Sequence, residues 1–175
     1  ASRERRPDHL NRTHPEQVEL PAIGRVLSID YVDGSRPRWR ARGSQVIELV
    51  GADEPSDARA LLVDLLKSTA RGSLEPRVRD FASRHSLNPG RITWRNPSTR
   101  WGSCSSNGNL SLSVRLLLLD RAVCGYVLLH ELAHLEHPNH SKAFWAKVES
   151  MCPDYRLQER ELKTASRAMP VWVTG

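Results

Sequence analysis

A chain of 175 residues, 39% hydrophobic and 26% charged, is long enough for one globular domain with its own core and short for two. No stretch reaches the roughly 18 consecutive apolar residues of a membrane span, the closest, VRLLLLDRAVCGYVLL, being cut by Asp120 and Arg121, so a membrane is excluded as a partner. The net charge of +6 bears on solubility and contact with anions rather than on fold, and it leaves nucleic acid or nucleotides open as partners. Cys104, Cys124 and Cys152 are odd in number and far apart, which argues against a disulfide scaffold. The first residues, ASRERRPDHLNRTHPEQ, carry charge without the apolar stretch of a secretory signal. The expected compartment is the reducing cytoplasm.

In chain order, residues 1–18 lack apolar periodicity and read as a flexible tail, leaving 19–175 as a single domain. RVLSIDYV, from Arg25, alternates as a strand, and Asp33-Gly34 signals a hairpin into RPRWRA, with SQVIELV as the next strand. Pro37 places the middle strand late or on an edge. RPRWRAR sets four arginines around Trp39; it reads as a strand with a solvated basic face, or as a contact for phosphates with the indole free to stack. EPSDARALLVDLLKSTA reads as a helix capped by Ser56, with Ala60, Leu61, Val63, Leu65 and Leu66 as its apolar stripe. Gly72 and Pro76 mark a break before a second helix reaching about His85, which closes an N-terminal part of strands and helices over 25–88. The remainder, 91–167, holds the chemistry. RITWR reads as a strand, NPSTRWGSCSSNGN as a long loop and LSLSVRL as a strand. A helix capped by Asp120 is expected to run to His137, where Pro138 stops it. Ser141 caps the next helix, with Phe144, Trp145 and Val148 inward, and a last helix runs from Pro153 to about Arg167.

Four of the seven histidines fall in HELAHLEHPNH, residues 130–140. On a helix, residues four apart lie one turn apart on one face, about 5–6 Å between Cβ atoms. His130 and His134 can therefore converge on one Zn²⁺, and Glu131, one position round, lies beside the ion and can take a proton from the water it activates. Such a trio on a helix that is apolar nearly all round is costly unless paired or metal-bound. His137 shares that face but lies about 10 Å of helix rise from His130, too far for the same ion. His140 follows the helix stop, so the chain can turn it back; Glu149 is the rival for that third place. Three protein ligands leave a fourth position open, the mark of catalytic rather than structural zinc. The spacing equals the metzincin pattern H-E-x-x-H-x-x-G-x-x-H with His137 in place of Gly, and Met151, following Ser150 in a predicted helix, reads as core.

Three blocks in order, RWGSCSSNGNLSL (100–112), YVLLHELAHLEHPNHSKAFW (126–145) and CPDYR (152–156), resemble the YgjP-like metallopeptidase-domain family, related to the SprT-like zinc proteases of the zincin superfamily. The resemblance covers about residues 72–165. It implies one zinc per chain on His130, His134 and His140, with Glu131 as catalytic acid and base. It also implies a zincin-like α+β fold: a small, mostly antiparallel sheet packed against the active-site helix, with further C-terminal helices. Within this frame Arg100 can meet an oxyanion, carboxylate or phosphate, or pack the loop with Trp101. Tyr126, one turn before His130, can donate to an oxyanion or pack the core, and His137 is left as a substrate group or an exposed side chain. Cys104 reads as structural.

The expected function is a zinc metallopeptidase acting on peptide or protein. One alternative is a metal-dependent phosphohydrolase acting on nucleotides, with Arg100 and Arg115 neutralising phosphates. Another is a nucleic-acid-associated protein in which the zinc is structural; SprT-like relatives join protease chemistry to DNA contact.

Overall fold

In the computed structural model, which describes residues 14–175, a four-stranded sheet opens the fold. Its strands are β1 (Gln17–Leu20), β2 (Arg25–Val32), β3 (Arg38–Arg42) and β4 (Val46–Val50), in the order β1-β2-β4-β3. Residues 1–13 lie outside the described residues, so most of the expected tail does too; within 14–18, His14 is buried and β1 has begun. The expected hairpin at Asp33-Gly34 does not form. β4 lies between β2 and β3, parallel to β2 and antiparallel to β3, and the hairpin is instead β3–β4, turned at Gly43 with φ +70°. Burial explains the order: Ile47, Glu48, Leu49 and Val50 are all buried, which suits a central strand, whereas β3 is largely exposed and follows a proline without a donor. Arg38, Arg40 and Arg42 do face solvent. Trp39 is half-buried against the core and its indole N–H donates to Asp64 Oδ2 at 2.9 Å, so it is not a free stacking platform.

Two helices follow, α1 (Pro55–Ser73) and α2 (Glu75–Arg84), separated by Leu74 alone. Glu54, not Ser56, occupies the cap position of α1, because Pro55 takes the first helical place, where a missing N–H costs nothing. The buried stripe is Ala58, Leu62, Leu65, Leu66 and Ala70: Leu65 and Leu66 are buried as expected, Leu61 and Val63 are half-buried at its margins, and Ala60 faces solvent. Pro76 has no N–H to give the carbonyl of Gly72, so the helix breaks between them.

The second sheet has three strands, β5 (Ile92–Arg95), β6 (Gly102–Cys104) and β7 (Leu110–Ser113), in the order β5-β7-β6. β5 and β7 are parallel, β6 and β7 antiparallel. Two small mixed sheets therefore stand where one mostly antiparallel sheet was expected, and β6 lies inside the segment read as loop. A 3-10 segment, Val114–Leu118, leads to α3 (Arg121–Ala133), α4 (Lys142–Met151) and α5 (Tyr155–Arg167). Ser141 caps α4 as expected, its hydroxyl accepting from Phe144 N at 3.2 Å. A short α6 (Val171–Thr174), not anticipated, buries Trp172 and Val173, and Asn96 Nδ2 donates to the Val173 carbonyl at 2.9 Å. One contiguous core runs from Val18 to Val173 across both sheets, and α3 lies within it, buried from Val123 to Leu129. Among the described residues, no helix is long and apolar enough to cross a membrane.

Candidate metal centre

Helix α3 ends at Ala133, four residues before the expected stop, and that early end shapes the site. Beyond it the backbone tightens to three-residue turns: Leu135 N donates to Leu132 O at 3.0 Å and Glu136 N to Ala133 O at 3.2 Å. The His137 carbonyl comes within 3.0 Å of His134 Nδ1. A carbonyl only accepts, so Nδ1 carries the proton and the Nε2 of His134 keeps its lone pair. Pro138 and Asn139 then bring His140 back, and its Nε2 lies 3.2 Å from Nε2 of His130.

The ligating atoms of His130, His134 and His140 all fall within 4.8 Å of one another, and these residues could hold a metal ion. Among the described residues no other group of three histidines, cysteines or carboxylates converges in this way. Aromatic rings back the imidazoles. Phe144 stacks on His134 at 4.4 Å and 24°, Trp145 stacks on His140 at 5.8 Å and 25°, and Tyr155 stacks on Trp145 at 5.4 Å and 23°. Burial holds His130 neutral, its pKa lowered to about 4, with His134 and His140 adding to the shift. Burial lowers His134 as well. Three imidazoles facing one point form a nitrogen donor set suited to zinc or a related transition metal.

Glu131, 6% exposed, follows His130 on the helix. Burial raises its carboxyl to about 7, partly opposed by the charge of Arg100. β6 runs directly against it: a Cβ on Gly102 would stand 2.8 Å from Glu131 Cγ, 2.9 Å from Cδ and 3.0 Å from Oε1. Only glycine permits that approach.

Other sequence candidates are placed differently. Tyr126 is 3% exposed with its hydroxyl 3.4 Å from His130 Nδ1, on the side of the ring away from the cluster, so it is not an oxyanion donor. His137 offers its carbonyl, while its ring Nε2 lies 3.9 Å from Glu136 Oε2. Arg100 is exposed and within electrostatic reach of Glu131. Arg115 is buried, donating to Ser113 Oγ and the Pro97 carbonyl with Trp101 5.3 Å away, and is thus occupied in holding the loop before β6. Glu149 is exposed and outside the cluster. Cys104 is half-buried, its thiol pushed up by burial and by Glu131. Met151 ends α4, partly buried against the core. Sequence reasoning missed Gly102, Phe144 and Trp145 as site residues; the aromatic pair four and five positions after His140 was the available signal.

Fold and cluster together define an α+β protein with a candidate metal centre at the end of a buried helix. The chain belongs to the YgjP-like metallopeptidase-domain family, whose sequence pattern matches residues 2–165. No curated protein matches the chain. Similar solved structures include the metallopeptidase zymogen abylysin of Pyrococcus abyssi, at 25% identity and TM-score 0.44 over 59% of this chain and 93% of that one. The metallopeptidase zymogen jannalysin of Methanocaldococcus jannaschii gives 20% and 0.47 over 55% and 98%. Wss1 of Saccharomyces cerevisiae gives 13% and 0.36 over 83% and 97%.

Proposed function

We propose that the protein is a zinc-dependent peptidase of zincin type in which His130, His134 and His140 hold one Zn²⁺ and Glu131 is the general base. The observation that carries this reading is the convergence of three imidazoles within 4.8 Å beside a buried glutamate. Zinc bound there would polarise the scissile carbonyl and acidify water. Glu131 would take a proton from the attacking water on its carboxylate and return it to the nitrogen of the leaving amine. Gly102 supports that role by letting β6 press on the Glu131 side chain, which limits where the carboxylate can go. Arg100, exposed near Glu131, is placed to meet a substrate carboxylate or the charge that grows on the carbonyl oxygen. The contiguous core supports treating residues 19–175 as one domain, with 91–167 as its catalytic part.

The phosphohydrolase reading is weakened because Arg115, one of the arginines it offered to phosphate, is buried and engaged elsewhere. A purely structural zinc would give no reason to bury Glu131 next to two of the ligands. The test is hydrolysis by the wild-type chain with one equivalent of Zn²⁺, offered labelled unfolded protein or ATP. Chelator-sensitive cleavage of the unfolded protein is expected; phosphate release from ATP without proteolysis would overturn the peptidase reading.

A further inference from the structure

The three histidines do not receive support in the same way, and the difference follows from where each sits on the chain. His134 is just past the last residue of α3, where carbonyls are no longer committed to the helix, and it uses one of them, that of His137, at 3.0 Å. His140 is in the following segment and lies flat against Trp145. His130 is inside α3, where the carbonyls around it are used by the helix's own hydrogen bonds. A partner for its second ring nitrogen from the same helix is therefore a side chain, and one turn back on the same face is position 126. Tyr126 is there, 3% exposed, with its hydroxyl 3.4 Å from His130 Nδ1 and its ring edge-on to the imidazole at 5.9 Å and 79°. Nε2 of His130 points the other way, to Nε2 of His140.

We propose that Tyr126 is a positioning residue for the metal centre: its hydroxyl accepts the Nδ1 proton of His130 and thereby holds the tautomer that presents the Nε2 lone pair to His134 and His140. The proposal rests on the reading of those three residues as metal ligands. A hydroxyl can accept from Nδ1–H without bringing in charge, where a carboxylate partner would add a negative charge and make the ligand more basic. The phenol thus orients His130 without adding a charge beside the centre. With Phe at 126, a buried N–H would lose its acceptor, and the tautomer with the proton on Nε2 would compete with metal binding.

The test is Zn²⁺ affinity, measured by competition with a chromophoric chelator, for the wild-type chain and Tyr126→Phe. The variant is expected to bind about 10–100-fold more weakly, the usual effect of losing a partner behind a metal-binding histidine. Its metal-free thermal midpoint should stay near that of the wild type. Tight binding by the wild type with an unchanged constant in Tyr126→Phe overturns the proposal alone. A wild-type chain that binds no Zn²⁺ overturns the metal reading and the proposal with it. Should Tyr126→Phe not fold, nitrogen-15 NMR of the zinc-loaded wild type decides. A slowly exchanging Nδ1 proton on His130 is expected, and a zinc-bound Nδ1, or a proton exchanging as fast as that of His140, overturns it.

Discussion

Glu48 and Glu131 are buried to nearly the same degree, at 4% and 6% exposed, yet their surroundings act on them in opposite directions. Glu48 lies on β4 beside the edge strand β3, with ion pairs to Arg40 and, at 3.0 Å, to Arg42. The hydrogen bond from Arg40, helped by Arg42 and opposed by burial, holds its carboxyl below the usual range. Glu131 lies at the last turn of α3, and among the described residues no cation forms an ion pair with it. Burial therefore dominates, and its carboxyl is pushed up to about 7. The first sheet neutralises its buried acid and fixes an edge strand with it; the second sheet and its helix leave theirs without an ion pair among the described residues.

That contrast can be broken most strongly at the ligands. His134→Ala should release the metal and lower hydrolysis by at least about 10³-fold, as removal of a catalytic metal would, read by zinc content and initial rate on unfolded protein. Gly102→Ala is the sharper probe, since it leaves the histidines alone and forces Glu131 aside. A shift of about 1 Å should lower kcat by roughly 10²-fold, with zinc content unchanged; loss of zinc as well would show that β6 supports the ligands rather than the base. Phe144 is fully buried and joins the core to all three histidines. Phe144→Ala should cost about 3–5 kcal/mol of stability, read as a lower urea midpoint, and loosen the centre. Glu48→Gln should have the smallest effect: a modestly lower thermal midpoint at neutral pH with hydrolysis unchanged. Because the folded carboxyl is held below its ordinary value of 4.5, its ionised form stabilises the fold above that value and the contribution is lost as pH falls through the lower, folded one. The gap between wild type and Glu48→Gln should therefore close on acidification, and a gap that widened would refute the pairing.

The residues brought together at the centre were legible because helix spacing is a local property: the four-residue step from His130 to His134, and a proline before His140, suffice to place them. The point where α3 ends was not legible, because His134, four residues ahead of Pro138, draws in the carbonyl of His137, and a breaker residue marks only the latest possible stop. Strand order was hidden for a different reason. Asp33-Gly34 has hairpin chemistry, but the pairing was decided by the burial of VIELV, which needs neighbours on both sides. The isolated acid in that apolar run, beside an arginine-bearing strand, was the readable trace of the Glu48 ion pairs. Gly-Ser-Cys at 102–104 has loop composition and is a strand through its antiparallel pairing with β7, while glycine there lets the backbone pass close to Glu131.

The most direct test of the central claim is the Glu131→Gln variant, measured for zinc content and for hydrolysis of unfolded protein in the same preparation. The account predicts one zinc per chain, as in the wild type, with hydrolysis lost by at least about 10³-fold, within the range spanned by general acid–base catalysis. Activity within tenfold of the wild type at full zinc content would contradict it.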